Sequence, residues 1–286
     1  MIMERNKIYQ GLTEELIKEM GDKSINLIVT SPDYANTINY GKKVKLYNEN
    51  TFADWFIPII KDFYEKLADD GSFIMNINDK VSNGERSIYV MDLVCRIVRE
   101  TDFKLYDRYI WGKKAALPTG GGRRLNDRIE YIFHFVKNPK TFYSDVDAVR
   151  EPYAEASIKR FDYKVMANDV ISEDGITDNT KKKKVDVNPK GKVPSTMFSF
   201  NTAATVRDES SGKHPAPFNP ELPEFFIKWL TRENDLVFDP FSGTGSTGVA
   251  AYRSEVKRDY IGFEMNEMYI KISEDRLKKY NKLIVN

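Results

Sequence analysis

Cysteine is almost absent from this chain of 286 residues: only Cys95 carries a thiol, which excludes an intramolecular disulfide framework. Histidine is nearly as scarce, represented by His134 and His214 alone, so no protein-ligated zinc centre is expected. Charge of one sign is lacking too. Lys plus Arg number 44 and Asp plus Glu 43, a formal charge of +1, which excludes a histone-like polycation and confines any basic binding face to a local patch. Long apolar runs are missing: the longest are strand-sized, as at Ile25 to Val29, well below the roughly 18 residues of a membrane span. Met1 to Asn6 are polar and charged, so neither a signal segment nor a membrane anchor is expected, and the cytoplasm is the default compartment.

What is present is enough apolar material, 41% of residues with 13% aromatic, for one large domain or a core with a smaller appended lobe. Both ends of the chain alternate strand and helix. Ile8 to Gly11 and Ile25 to Thr30 read as strands, the second stopped by Ser31-Pro32. Between them Thr13 is placed to cap a helix carrying Leu16, Ile17 and Met20 on one face. Trp55 to Leu67 is apolar at helical spacing, Asp69-Asp70-Gly71 reads as a turn, and Ser72 to Ile77 as a strand. Ser87 to Glu100 sets Ile88, Met91, Val94 or Cys95 and Val98 in helical register, and Lys104 to Trp111 and Ile129 to Val136 follow as strands. Near the C-terminus, Pro220 to Thr231, Thr247 to Arg253 and Glu267 to Tyr280 read as helices separated by strands Asp235 to Asp239 and Asp259 to Glu264. This rhythm predicts an α/β fold with a mostly parallel sheet covered by helices. From Asn138 to Gly212 the rhythm dissolves into Asp, Ser, Asn and Lys, which reads as an inserted, loop-rich lobe.

A glycine-rich turn, Asp239-Pro240-Phe241-Ser242-Gly243-Thr244-Gly245 and on to Gly248, joins a predicted strand to a predicted helix. Glycines allow a tight turn and close approach of a ligand to free helix N–H groups. Gly243, Gly245 and Gly248 have the spacing of a dinucleotide fingerprint, and Glu264 ends the next strand where an acid would hold ribose hydroxyls. A nicotinamide-dependent oxidoreductase and a ligand-free tight connection both stay open on this turn alone. A second segment, Thr30-Ser31-Pro32-Asp33-Tyr34, lies at the carboxyl end of another predicted strand, the edge where open α/β sheets bind ligands. A hydroxyl, a backbone carbonyl and an aromatic ring there suit an enzyme that grips the exocyclic amine of a base.

Together these segments resemble the amino-methyltransferases of DNA, in the subgroup whose target-amine motif precedes the cofactor motif. Asp239 to Gly245 is similar to the family's cofactor motif and Thr30 to Tyr34 to its Ser-Pro-Pro-Tyr motif, with Asp33 in place of proline. Lys213-His214-Pro215-Ala216-Pro217-Phe218 resembles the segment that helps hold the methionine part, and Arg128 to Lys137 the strand before the target-recognition region. Leu12 stands where relatives often carry an aspartate for the adenine.

The resemblance implies a doubly wound, Rossmann-like sheet, circularly permuted. Residues 1–137 would then form the catalytic half, 138–212 the target-recognition region and 213–286 the cofactor-binding half. It implies S-adenosyl-L-methionine as cofactor, held by Asp239, Pro240, Phe241, Ser242, Gly243, Thr244, Gly245 and Glu264 with His214 and Pro215. Duplex DNA with a flipped target base is the implied partner, alongside a cognate restriction endonuclease, with the chain a monomer or homodimer. Serine at the first motif position favours cytosine-N4 over adenine-N6 as the methylated atom. A DNA-binding relative without turnover is the non-enzymatic alternative, motivated by Asp33.

The exocyclic nitrogen is a poor nucleophile because its lone pair is delocalised into the ring. Ser31 and the Pro32 carbonyl as acceptors would turn that lone pair toward a methyl donor, Asp33 is a surface turn residue, a further acceptor for the amine or its departing proton, or a charge complementing the sulfonium, and Tyr34 is the candidate to stack on the base. Cys95, inside an amphipathic helix, reads as core rather than as the nucleophile of carbon-5 methylation. His134 reads as a satisfied structural histidine. Charge is locally uneven: Lys104 to Lys140 holds nine Lys or Arg against three acids, and Lys181 to Lys192 six Lys against one. Lys113, Lys114, Arg123 and Arg124, flanking Gly120-Gly121-Gly122, are the expected phosphate contacts.

Overall fold

Period-two apolar patterning places each central strand between two layers of side chains. A computed structural model describes residues 3–32, 34–35, 47–113, 123–158, 188–200 and 219–281. Its strands are β1 (Lys7–Gln10), β2 (Ile25–Thr30), β3 (Leu67–Ile77), β4 (Val81–Ser82), β5 (Glu85–Arg86), β6 (Lys104–Gly112), β7 (Ile129–Val136), β8 (Met197–Phe198), β9 (Leu236–Asp239) and β10 (Asp259–Glu264). The helices are α1 (Thr13–Leu16), α2 (Phe52–Lys66), α3 (Tyr89–Glu100), α4 (Glu221–Leu230), α5 (Ser246–Arg253) and α6 (Glu267–Asn281). One eight-stranded sheet runs β1-β10-β9-β2-β3-β7-β6-β8, and β4 and β5 form a separate hairpin. The first five strands are mutually parallel, whereas β7 runs antiparallel to both β3 and β6.

Alternate residues sort to the two faces. Ile28, Phe73, Met75, Phe238 and Phe263 join α2 and α3 in one core, and Leu27, Val29, Ile74, Val237 and Tyr260 join α4, α5 and α6 in the other. The expected doubly wound α/β architecture is observed, including its permuted order: β1, first in the chain, lies at the edge beyond β10, which α6 follows. The chain winds outward in opposite directions from β9 and β2, so the crevice at their adjacent carboxyl ends is the switch point where ligands bind in such sheets.

Four local expectations are corrected. Asp69-Asp70-Gly71 is no turn between elements. It lies within β3 as a bulge: Ile25 faces Leu67 and Leu27 faces Ser72, so the four residues 68–71 lie opposite Asn26 alone. Thr13 is not a cap, since Leu12 occupies that position and the buried Thr13 hydroxyl donates to the Pro240 carbonyl at 2.5 Å. Helix α3 buries Tyr89, Val90, Leu93, Val94 and Ile97, leaving Ile88, Met91 and Val98 exposed at 75%, 43% and 41%. Cys95 shares that outward stripe and is exposed, not core. The helix carries two apolar stripes, and the one with the bulkier tyrosine, leucine and isoleucine faces the sheet.

The chain divides into two compact units, 1–145 with 196–286, and 146–195. Residues 196–200 supply β8, which extends the large sheet in parallel with β6. In the second unit Glu151 and Lys192 form an antiparallel bridge, and Arg150 donates to Asp147 and to the Gly191 carbonyl. No described helix is long and apolar enough to cross a membrane.

Candidate active site

Both segments singled out in the sequence leave the same sheet edge from neighbouring strands, and a hydrogen bond joins them: Thr30 Oγ1 donates to Asp239 Oδ1 at 2.8 Å. Asp239, 4% exposed, also accepts from Thr247 Oγ1 at 2.6 Å and the Phe241 amide at 3.1 Å. Burial pushes its carboxyl up to about 6 against those three donors, which favour the carboxylate. Its carboxylate therefore fastens the turn to both β2 and α5.

The turn needs glycine at two points, Gly243 with φ +52° and Gly245 with φ +78°, a region that side chains with Cβ rarely adopt. At Gly245 a Cβ would also stand 3.0 Å from Ser273. Gly248 serves packing: a Cβ there would stand 2.7 Å from the Tyr260 ring and 2.9 Å from Leu277. Around the turn, Ser242 Oγ bonds Tyr260 Oη at 2.8 Å, Ser273 Oγ donates to the Gly243 carbonyl at 2.9 Å, and buried Arg276 donates to the Thr244 carbonyl at 2.5 Å. Phe241 packs on Trp55 and Phe56. The partly exposed Glu264 accepts from the Gly243 amide through Oε2 (2.9 Å) and from the Asn266 amide through Oε1 (2.8 Å). Among the described residues no side chain caps the start of helix α5, which follows β9 at the crevice end of the sheet.

On the β2 side, Ser31 Oγ donates to Tyr34 Oη at 3.4 Å, and Tyr34 Oη donates to Glu130 Oε2 at 2.9 Å. Asn76 Nδ2, near the end of β3, donates to both Tyr34 Oη (3.1 Å) and Glu130 Oε2 (2.7 Å). Lys113 Nζ lies 2.5 Å from Glu130 Oε1. The side-chain amide oxygens (Oδ1) of Asn76 and Asn78 are buried without a hydrogen-bond partner among the described residues. Burial, and secondarily the Glu130 charge, raises the Tyr34 phenol well above its usual range, which keeps it a neutral donor.

Ser31, Pro32, Tyr34, Asp239 to Gly245 and Glu264 are thus gathered at one edge. Arg123 and Arg124 are exposed, Arg124 donating to the Gly84 carbonyl, whereas Lys113 is drawn into the Glu130 ion pair. Asp33, Lys114, His214 and Pro215 lie outside the described residues, as do Gly120 to Gly122 and Lys181 to Lys184. Sequence reasoning did not assign Glu130 or Asn76. The signal was a polar residue one position in from the site end of a strand, Glu130 second in β7 and Asn76 second from last in β3. His134 is fully buried between Tyr109 Oη (3.2 Å) and Ser72 Oγ (3.0 Å), its pKa lowered by burial to about 3, as a structural histidine should be.

A family model described as DNA methylase matches residues 25–275. The type II methyltransferase M.PvuII of Proteus hauseri is 29% identical over 304 residues, covering 96% of this chain and 84% of that protein. The solved structure titled PvuII DNA methyltransferase (cytosine-N4-specific) superimposes with a TM-score of 0.68 at 25% identity, over 99% of this chain and 92% of that one. The DNA adenine methyltransferase YhdJ of Escherichia coli is 26% identical over 275 residues, 96% of this chain and 83% of its own. The solved M1.HpyAVI–SAM complex shares the fold, with a TM-score of 0.60 at 18% identity, over 95% of this chain and 98% of that one.

Proposed function

Because the chain belongs to the DNA methylase family of N6 and N4 methyltransferases, we propose that it methylates the exocyclic N4 of cytosine in duplex DNA, using S-adenosylmethionine, as the modification partner of a restriction endonuclease. The observation that carries this reading is the Thr30–Asp239 bond, which sets the turn after β9 beside the Ser31-Pro32 segment at the switch point of the sheet.

The cofactor supplies an electrophilic methyl group. A cradle with two positive-φ glycines, a helix start that no described side chain caps and a carboxylate at its rim suits a nucleoside-bearing ligand. In this reading Glu264 accepts from the ribose hydroxyls, and the turn from Pro240 to Gly245 lines the site. Ser31 Oγ gives its proton to Tyr34 and so keeps lone pairs for one amine N–H, and the Pro32 carbonyl takes the other. Held by both acceptors, the nitrogen lone pair is turned out of conjugation and aimed at the methyl group, so positioning and electrostatics do the catalytic work. Tyr34 stacks on the flipped base. Arg123 and Arg124 contact phosphates, and residues 138–212 read the recognition sequence. Serine at position 31 and the cytosine-N4-specific relative support cytosine; similarity to YhdJ supports adenine-N6 as the second reading.

The test is transfer of labelled methyl from S-adenosylmethionine to unmethylated genomic DNA, followed by digestion to nucleosides and mass analysis. N4-methylcytosine is expected. N6-methyladenine without N4-methylcytosine would overturn the choice of base, and absence of transfer would overturn the enzymatic reading.

A further inference from the structure

Four side chains from separate parts of the chain meet behind Ser31. Glu130 is the second residue of β7, Asn76 the second from last of β3, Lys113 follows β6 and Tyr34 follows β2. Glu130 is 9% exposed and Asn76 1%. Placing a carboxylate there is costly unless it is paired and hydrogen-bonded. Among the described residues it has one ion-pair partner and two hydrogen-bond donors, and all three come from groups bordering the proposed base site. If the carboxylate served only the fold, one cation at its edge would suffice. Instead one oxygen takes Lys113 and the other takes both Tyr34 and Asn76, and Asn76 doubles back onto the same phenol. The Tyr34 hydroxyl is consequently tied at three points, by Ser31, Asn76 and Glu130, and with its oxygen fixed the ring has little freedom to swing.

We infer that Glu130 is a positioning residue for base methylation: held by Lys113 and Asn76, it locks the Tyr34 ring and, through the Tyr34 hydroxyl, the Ser31 hydroxyl in the orientation that receives the target base. The inference rests on the proposed methyl-transfer reading and deepens it. It also assigns Lys113 to the base site rather than to the DNA backbone. Glu130 does not touch the reacting atoms in this scheme; it acts through Tyr34 and Ser31.

The measurement is the single-turnover rate of methyl transfer to unmethylated genomic DNA at saturating labelled S-adenosylmethionine, with cofactor Kd from calorimetry. Glu130→Ala and Tyr34→Phe are each expected to slow transfer by about tenfold or more, with cofactor Kd changed less than about twofold. Because both remove the same tie, the double variant should be no slower than the slower single one. Glu130→Gln, which keeps an acceptor for the phenol, should return to within about threefold of wild type. Glu130→Ala leaves the half-buried Lys113 unpaired and risks unfolding, so Glu130→Met combined with Lys113→Met, which removes both charges, is measured beside it and should show the same loss. A rate within about twofold of wild type in the Glu130→Met, Lys113→Met protein, or multiplicative effects of Glu130→Ala and Tyr34→Phe, overturns the inference. So does a Glu130→Gln variant as slow as Glu130→Ala, which would mean that the charge itself is required. Failure of the underlying reading appears in the wild-type protein, as no transfer to DNA, and overturns both; failure of the Glu130 assignment appears only in the variants.

Discussion

The turn after β9 and the segment after β2 leave the same sheet edge one strand apart, yet they are held by different means. The glycine-rich turn is fixed mostly through its own backbone: Ser273, Arg276 and Glu264 bond to its carbonyl and amide groups, and Asp239 closes it from below. The Ser31 segment is fixed by side chains, through Tyr34 to Asn76, Glu130 and Lys113. A backbone-held cradle suits a ligand that stays the same in every turnover, and it constrains which residues can stand in the turn. A side-chain network can tune the placement of a single ring, and it can be dismantled one residue at a time. Variants on the two sides should therefore fail differently.

The largest effect is expected at Ser31. Ser31→Ala removes one proposed amine acceptor while leaving the turn intact, so single-turnover methylation should fall by about 10- to 1,000-fold with cofactor affinity unchanged; a wild-type rate would show the amine is gripped elsewhere. Glu264→Ala should do the converse. A charge-assisted bond contributes about 1.5–3 kcal/mol, so the cofactor Kd measured by calorimetry should rise by about 10- to 150-fold, and the single-turnover rate at saturating cofactor should change far less. Gly245→Val is a poor probe of the same site, because its positive φ and the nearby Ser273 make the substitution strained before any ligand arrives.

Two buried titrating groups sharpen the contrast in stability. His134 is held neutral, with a folded pKa of about 3 against an unfolded value near 6.5, so its contribution is present above about pH 6.5 and is lost as pH falls toward 3. Asp239 works in the opposite sense: its folded pKa of about 6 lies above the unfolded 3.8, so stability falls as pH rises through that interval. The two largely offset each other in wild type near pH 5. Removing one exposes the other: the stability advantage of wild type over His134→Gln, from urea unfolding, should shrink by about 2 kcal/mol between pH 7 and pH 5. An advantage independent of pH would mean that His134 is not buried neutral.

The smallest effects are expected at the surface cations. Arg123→Ala with Arg124→Ala should weaken DNA binding for all sequences and lower the slope of log affinity against log salt by roughly 2, about 0.9 per phosphate contact. Lys113→Met should leave that slope unchanged if its ammonium belongs to Glu130. An unchanged slope in the arginine pair would move the DNA to another face.

Legibility followed contiguity. Asp239 to Gly245 and Thr30 to Tyr34 are contiguous runs, so each is readable in order, and the order of the two runs along the chain is enough to expect the permuted sheet. Helix α3 was harder. Its period is plain, but two apolar stripes compete for burial, and the sheet accepted the one with Tyr89, Leu93 and Ile97, leaving Cys95 outside.

What the sequence by itself determined is the alternation of strands and helices and the glycine-rich turn that joins a strand to a helix, because these depend on residues within a few positions of one another. What only the tertiary structure decided is which distant residues meet. Thr30 reaches Asp239 across 209 positions, Thr13 reaches Pro240 across 227, and Tyr34 reaches Glu130 across 96. Strand pairing sets those separations to a few ångströms, and no local pattern of hydrophobicity or propensity encodes that distance.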